Sequence, residues 1–287
     1  MRAAVLAAPV AAGLLDALYV ARVGGDYMHA RLLLPSFFSI GMAVWSAPKR
    51  GTFRRPLLLP TAGIVIWSLV CVAALRYPAY TTVQPSGIAN ERAFWVAQAG
   101  RPNPIDLSDY AGSPLFLIGL RARIASYASG DRQELGLGSS PGGALRLLPA
   151  RSALPFHLAI PLYNAGIAAD EAGSRVYVFD SLSVANPIGS HTALVARSRP
   201  GHEKFIGGVW EVARFGSPGL RSAPGISALA LADARRALRC APLSSYLRAI
   251  TRPLTFTGAL SNVLHAYTYT TMSYSVDPLV AVSQLCR

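Results

Sequence analysis

Acidic residues are scarce in this chain: 14 Asp and Glu stand against 27 Lys and Arg, a formal net charge of +13 over 287 residues. Charge of either sign is thin, at 14% of residues against roughly 25% in an average domain. The deficit is local. Residues 1–77 are dominated by Ala, Leu, Val and Ile, and the remainder reads as ordinary globular sequence. A basic excess would suit nucleic acid, but the arginines are scattered and no basic run is interleaved with aromatics. Anionic lipid or a lipid phosphate is therefore the better partner, and nucleic acid is not expected. Cysteine is nearly absent: Cys71 lies in a greasy run, and Cys240 and Cys286 come late. No C-x-x-C and no Cys/His set with zinc spacing occurs. G-x-S-x-G, H-E-x-x-H, the P-loop and the dinucleotide fingerprint are missing too, and no internal repeat is visible. His157, His191 and His265 are isolated, so each reads as a packed or surface histidine before a ligand.

What is present is apolar. Three segments stand out: 3–20, 32–47 and 56–75. A spanning helix needs about 20 mainly apolar residues. The third segment fits, the first carries Pro9 and Asp16 as blemishes, and the second is short and holds Pro35. The link between the second and third, PKRGTFRRP, carries Lys49, Arg50, Arg54 and Arg55 with no acid. Short Lys/Arg-rich loops stay cytoplasmic. The N-terminus is then cytoplasmic, and everything after residue 76 is extracytoplasmic, at the plasma membrane. The competing reading of 1–20 is a cleaved signal peptide, against which Asp16 and the two following greasy segments count. The expected architecture is about three membrane helices over 1–77 and a mixed α+β extracytoplasmic domain over 78–287.

Within the second part, SRVYVFDSL alternates as a strand does. ISALALADARRALRCAPLSSYLRAI has helical spacing, broken by a turn at Ala241-Pro242, and VDPLVAVSQLC closes as a short helix. A short amphipathic helix is expected around 89–99. DRQELGLGSSPGGALRLLPA is expected to be a Gly/Ser/Pro loop, and TGALSNVLHAYTYTTMSYSVDP mixes helix and strand signals.

Four constellations could carry chemistry. RVGGDYMHARLLLP places Arg22, Asp26, His29 and Arg31 at a membrane boundary. Ionisable groups there are costly and point to function, and guanidinium forks suit a lipid phosphate; the alternative is an interfacial loop whose arginines reach for headgroups. RSRPGHEKF turns at Pro200-Gly201 and presents Arg199, His202, Glu203 and Lys204, suited to a sugar or simply to solvent. Asp180 ends the predicted strand VYVFD, either facing a cleft or capping the following turn. Cys240 and Cys286 are expected to pair in an oxidising compartment, with two buried thiols as the alternative.

The run RVGGDYMHARLLLP, the strand and loop VYVFDSLSVANPIGS, and RSRPGHEK occur in that order. Together they resemble the C-terminal half of the actinobacterial terminal β-(1→2)-arabinofuranosyltransferases, integral-membrane glycosyltransferases of the GT-C type. The resemblance runs from about Tyr19 to the terminus. It implies a polyprenyl-phosphate donor, decaprenyl-phospho-arabinofuranose, and an arabinan acceptor in arabinogalactan or lipoarabinomannan. Arg22, Asp26, His29 and Arg31 would then lie on the donor phosphate, and Asp180, Arg199, His202, Glu203 and Lys204 on the glycan side. A divalent cation could assist. The family's catalytic acid sits in the first outward loop of a larger bundle, whereas the first outward loop here matches a late one, so the acid is expected to be missing. A non-enzymatic, membrane-anchored glycan-binding module and a membrane regulator, like the flagellar motor-control proteins that share the membrane loop, are the rival readings.

Overall fold

In the computed structural model, residues 2–22, 31–46, 62–70, 73, 91–138, 145–163, 165–194 and 202–286 are described. They form two compact units, Met1–Trp95 and Val96–Arg287.

In the first unit, α1 spans Arg2–Arg22 and takes in both Pro9 and Asp16. A 3-10 turn, Arg31–Leu33, leads into α2, Leu34–Ser46. Pro35 falls in the first turn of α2, where a missing N–H costs least. Residues 62–70 are also helical and are called α3 here. α1 packs against α2, and Gly13 makes the approach close: a Cβ there would stand 2.7 Å from the Ser36 carbonyl oxygen. The Ser36 hydroxyl donates to Asp16 Oδ2 at 2.6 Å, so the acid that interrupts the first greasy segment is answered from the second. Among the described residues, no helix is long and apolar enough to cross a membrane. Lys49, Arg50, Arg54 and Arg55, from which the orientation was read, lie outside the described residues.

The second unit is mixed α and β. The unit boundary falls within α4 (Glu91–Ala99); in the second unit α5 (Pro114–Ala128) is followed by β1 (Glu134–Leu137), β2 (Arg146–Pro149) and β3 (Leu158–Leu162). α6 (Gly166–Ala172) crosses to β4 (Val176–Asp180). The helices α7 (Gly208–Phe215), α8 (Ala228–Ala237), α9 (Leu243–Thr251), α10 (Phe256–Thr271) and α11 (Pro278–Leu285) follow. The sheet order is β2-β1-β3-β4. β1 and β2 pair antiparallel, Glu134 opposite Pro149, while β1–β3 and β3–β4 are parallel, with Leu162 opposite Asp180.

The stretch expected to be a loop, DRQELGLGSSPGGALRLLPA, instead contributes the antiparallel strands β1 and β2, with 139–144 lying outside the described residues. Its Gly and Ser content hides the period-two pair Leu135 and Leu137, which are buried under α7 and its neighbours. Strands covered on both faces lose the polar half of the alternation. β3 shows this: Leu158, Ile160 and Leu162 pack with Ile118 and Ala122 of α5 and Ala168 of α6, while Ala159 joins Phe179, Trp210, Val212 and Phe215 on the other side. Gly119 lets α5 and α6 close up, since a Cβ there would lie 2.4 Å from the Ala168 carbonyl oxygen.

Helix starts follow local chemistry. Ser113, Ser227, Thr255 and Asp277 each accept a bond from a first-turn N–H of the helix they precede, and such caps are worth about 1 kcal/mol each. The turn at Ala241-Pro242, a cis peptide, separates α8 from α9 as the helical spacing indicates. Just beyond α8, Cys240 is joined by a disulfide to Cys286 at the end of α11, with Cα atoms 5.1 Å apart.

α10 departs from the pattern, for none of its residues is buried. Phe256, Leu260, Val263, Leu264 and Tyr267 recur at helical spacing and are exposed. Its polar side, Ser261, Asn262, His265 and Thr268, instead lines a cavity shared with α9. The segment with mixed signals is therefore a helix whose apolar stripe faces outward.

Candidate functional site: a crevice at the carboxyl ends of the parallel strands

The three parallel strands end together at Leu137, Leu162 and Asp180. Ligands of open α/β sheets bind in the crevice outside such strand ends. Here that crevice has a volume of about 550 Å³, lined among others by Leu137, Tyr163, Ser181, Phe205 and Ile206. Tyr163, one residue past β3, and Phe205, in the segment before α7, stack with ring centroids 5.6 Å apart and planes 15° from parallel. Both are about half exposed, at 55% and 52%, so the pair offers a flat apolar surface to a ligand.

The 202–206 segment is tied down next to the strand ends. Ile206 N–H donates to the Ser181 carbonyl at 3.0 Å, and Ser181 N–H donates to the Leu162 carbonyl at 2.8 Å. The Lys204 ammonium donates to the Ser190 carbonyl. Burial pulls its pKa below the ordinary lysine value, with Glu203 opposing. Lys204 is therefore a clasp between two loops. His202 is exposed and Glu203 half-buried beside it.

Asp180 builds the other side of the turn. Its carboxylate accepts from Leu182 N–H at 3.0 Å and Ala185 N–H at 2.7 Å. Asn186 donates to the Asp180 carbonyl and accepts from Ile188 N–H at 3.0 Å. With 6% exposure and both oxygens engaged by backbone, Asp180 shapes the loop instead of facing a ligand. Ser183 carries a φ of 66° in this turn, a conformation uncommon outside glycine, and Gly189 is packed so closely on it that a Cβ would stand 2.0 Å from its hydroxyl.

His191 is a packed histidine: Tyr246 sits edge-on at 4.7 Å, and Nδ1 lies 3.3 Å from the Met272 carbonyl oxygen. Burial lowers its pKa, the Met272 contact opposes this, and Lys204 adds to the lowering. Among the described residues, no group of three or more His, Cys, Asp and Glu could hold a metal ion. Arg22 ends α1, exposed; Asp26, His29 and Arg199 lie outside the described residues, as does the side chain of Arg31. The structure thus brings Lys204 and Asp180 to adjoining loops, with His202 and Glu203 nearby in sequence. The aromatic pair itself was not singled out in the sequence. Tyr163 directly follows the apolar run LAIPL, and Phe205 closes RSRPGHEKF, so both were within reach of the strand-end rule.

No carboxylate or histidine lines the crevice among the described residues. It is equipped for binding: flat apolar rings with backbone polar groups at the edge.

The comparisons cover the same region. Residues 150–284 match the AftB family C-terminal domain. Over 311 aligned positions the chain is 30% identical to the "Terminal beta-(1->2)-arabinofuranosyltransferase" of Mycobacterium tuberculosis, covering 96% of this chain and 47% of that protein. Its similarity to the Corynebacterium glutamicum protein of the same name is 27% over 289 positions, or 90% and 40% of the two chains. The chain resembles the C-terminal portion of these transferases, as its ordered motifs indicate. It spans about half the length, or less, of these curated relatives. No solved structure matches it. Tyr163, Ser181 and Phe205 all fall within the matched domain.

Proposed function

We propose that the chain is the C-terminal part of a membrane arabinofuranosyltransferase and that its strand-end crevice holds the arabinan acceptor. The observation that carries this is the exposed Tyr163–Phe205 stack at the carboxyl ends of three parallel strands, within a domain matched by arabinofuranosyltransferase relatives. A furanose ring presents C–H bonds on its faces and hydroxyls at its edge. Stacked rings suit the first, and the carbonyls and N–H groups of the surrounding loops suit the second. Transfer would run from decaprenyl-phospho-arabinofuranose to arabinogalactan or lipoarabinomannan, with the Arg22–Arg31 loop on the donor phosphate. An inverting transfer needs a carboxylate to take the proton of the acceptor hydroxyl. In this reading that group comes from the part of the relatives' length that this chain does not span.

The membrane setting belongs to the same proposal. Leu15 and Leu18 of α1, Phe37 and Phe38 of α2, and Ile66 and Trp67 of α3 are all exposed, which favours an apolar medium around the first unit. The outward stripe of α10 favours a domain seated near a bilayer on the extracytoplasmic side, and Lys49 to Arg55 favour a cytoplasmic loop.

Two measurements on the full chain in neutral detergent test the reading. Arabinan oligosaccharide should bind, and Tyr163→Ala or Phe205→Ala should weaken binding at least tenfold without changing thermal unfolding. Absence of binding, or unchanged binding in both variants, would remove the acceptor role and leave a regulatory membrane protein as the better reading. With donor and acceptor supplied, the chain alone should show little or no turnover; robust turnover would refute the view that the catalytic carboxylate lies elsewhere.

A further inference from the structure

Five arginines line one basin of the second unit, away from the aromatic crevice. Arg151 comes from the loop after β2, Arg214 from α7, Arg235 from α8, Arg239 from just beyond α8, and Arg248 from α9. The basin has a volume of about 810 Å³, and no Asp or Glu lines it among the described residues. It shares no lining residue with the strand-end crevice. None of the five arginines joins an ion pair among the described residues.

Two of the five guanidinium groups, those of Arg214 and Arg235, are held against the protein, while the exposed Arg248 donates through Nη2 to the Ser245 hydroxyl at 3.0 Å. Arg235 donates through Nη1 to the Leu220 carbonyl and through Nη2 to the Ser217 carbonyl, both at 2.8 Å. Arg214 stands 4.9 Å over the Phe215 ring, and its Nη1 is buried with no hydrogen-bond partner. Arg151 and Arg239 are exposed. The charges also feel one another. Burial lowers the Arg214 pKa; Tyr177 opposes this, as do Tyr246 and Tyr274, while the Arg151 charge adds to the lowering; burial lowers that of Arg235, and Arg221 and Arg239 add to it.

A solvated basic face normally interleaves acids, and scattered arginines need no concavity. Here five like charges converge on a hollow, one donor is closed off from water, and no acid answers them. Crowded like charge costs stability, and that cost is relieved by an anion with several acceptor oxygens and more than one negative charge. A single carboxylate would balance only one of the five. Guanidinium forks match phosphate oxygens in pairs.

We propose that this basin is a binding site for a multiply charged anion of the phosphate class, a pyrophosphate or a phosphate ester. The proposal does not depend on the acceptor role of the crevice. It is tested by calorimetric titration of inorganic pyrophosphate into the full chain in neutral detergent. Saturable binding is expected. It should weaken at least tenfold in the double variant Arg151→Gln/Arg239→Gln, whose exposed positions leave thermal unfolding unchanged. A second pair that removes the same charge elsewhere, Arg132→Gln/Arg146→Gln, should keep affinity within twofold. No binding, or equal loss in both pairs, overturns the proposal. A competition arm separates the sources of phosphate: displacement of pyrophosphate by short-chain phosphatidic acid added to the micelles supports a lipid headgroup site, and its failure to displace supports a site for a soluble phosphate.

Discussion

In the first unit Leu15, Leu18, Phe37 and Trp67 are exposed, while the polar pair Asp16 and Ser36 bonds between two helices. In the second, Trp210, Phe179, Ile160 and Leu135 are enclosed, and most of the arginines are at the surface. The same side-chain types have been sorted in opposite senses. Burial in water is driven by removing apolar area, worth about 25 cal/mol per Å². That force acts between elements only when the surroundings are aqueous. In lipid, helices meet through small residues and interhelical hydrogen bonds, which is what Gly13, Asp16 and Ser36 supply. The contrast is the main physical support for the proposed membrane setting of the first unit.

The contrast can be broken most directly by truncation. Trp210→Ala removes a fully enclosed ring whose Nε1–H donates to the Val276 carbonyl at 2.9 Å. It should cost roughly 3–5 kcal/mol, read from the urea midpoint of the full chain in neutral detergent. Leu18→Ala in the first unit should cost no more than about 0.5 kcal/mol; a loss as large as that of Trp210→Ala would show a water-excluding core at Leu18 and end the comparison. Cys286→Ser opens a loop with a sequence separation of 46 and should destabilise the second unit by about 4 kcal/mol, less any native strain. Non-reducing mass mapping that found both thiols free would remove that expectation.

A subtler effect comes from Glu211, a fully enclosed carboxyl on α7 whose two oxygens have no hydrogen-bond partner among the described residues. Burial raises its pKa well above the ordinary glutamate value. The folded state therefore holds a proton that the unfolded chain releases near about pH 4.3. The stability carried by that proton is fully present below the unfolded pKa and is lost as pH rises through the folded one. Glu211→Gln should raise Tm relative to the parent at pH 8, and the gap should close toward pH 4. A gap that widens in acid would show that the carboxylate is ionised in the fold. An effect almost as small as that of Leu18→Ala is expected at Asp16→Leu, about 0.6 kcal/mol if the Ser36 bond lies in a lipid-like setting. A loss of several kcal/mol would point to a tightly packed, water-surrounded helix pair.

Much of the second unit was readable from short stretches. The helical spacing around ALALADARRA, the break at Ala241-Pro242, the Asp277-Pro278 start of α11 and the strand VYVFD all appear where their patterns place them. The β1–β2 pairing was not readable, because Gly136 and the glycines after it mask a two-leucine period. α10 was ambiguous for another reason: its Thr and Tyr residues favour strands, while its spacing favours a helix. Of the candidate site, the charges of His202, Glu203 and Lys204 are visible in the sequence, but Lys204 clasps the Ser190 loop. Tyr163 and Phe205 each adjoin a readable stretch, but their pairing had no local signal, since it lies in the two rings facing each other across about forty residues of chain.

The sequence by itself determined the apolar first quarter, the basic excess, the helical spacing and turn around Ala241-Pro242, and the order of its motifs. Those features act over a turn of helix, a few strand residues or a simple count, so they survive without a fold. Tertiary structure alone decided that Asp16 meets Ser36, that Asp180 serves its own turn, that two distant rings stack at the strand ends, and that arginines from Arg151 to Arg248 surround one basin. Each of these is a contact between residues far apart in the chain, and its energy exists only once the packing of the sheet and helices has placed them side by side.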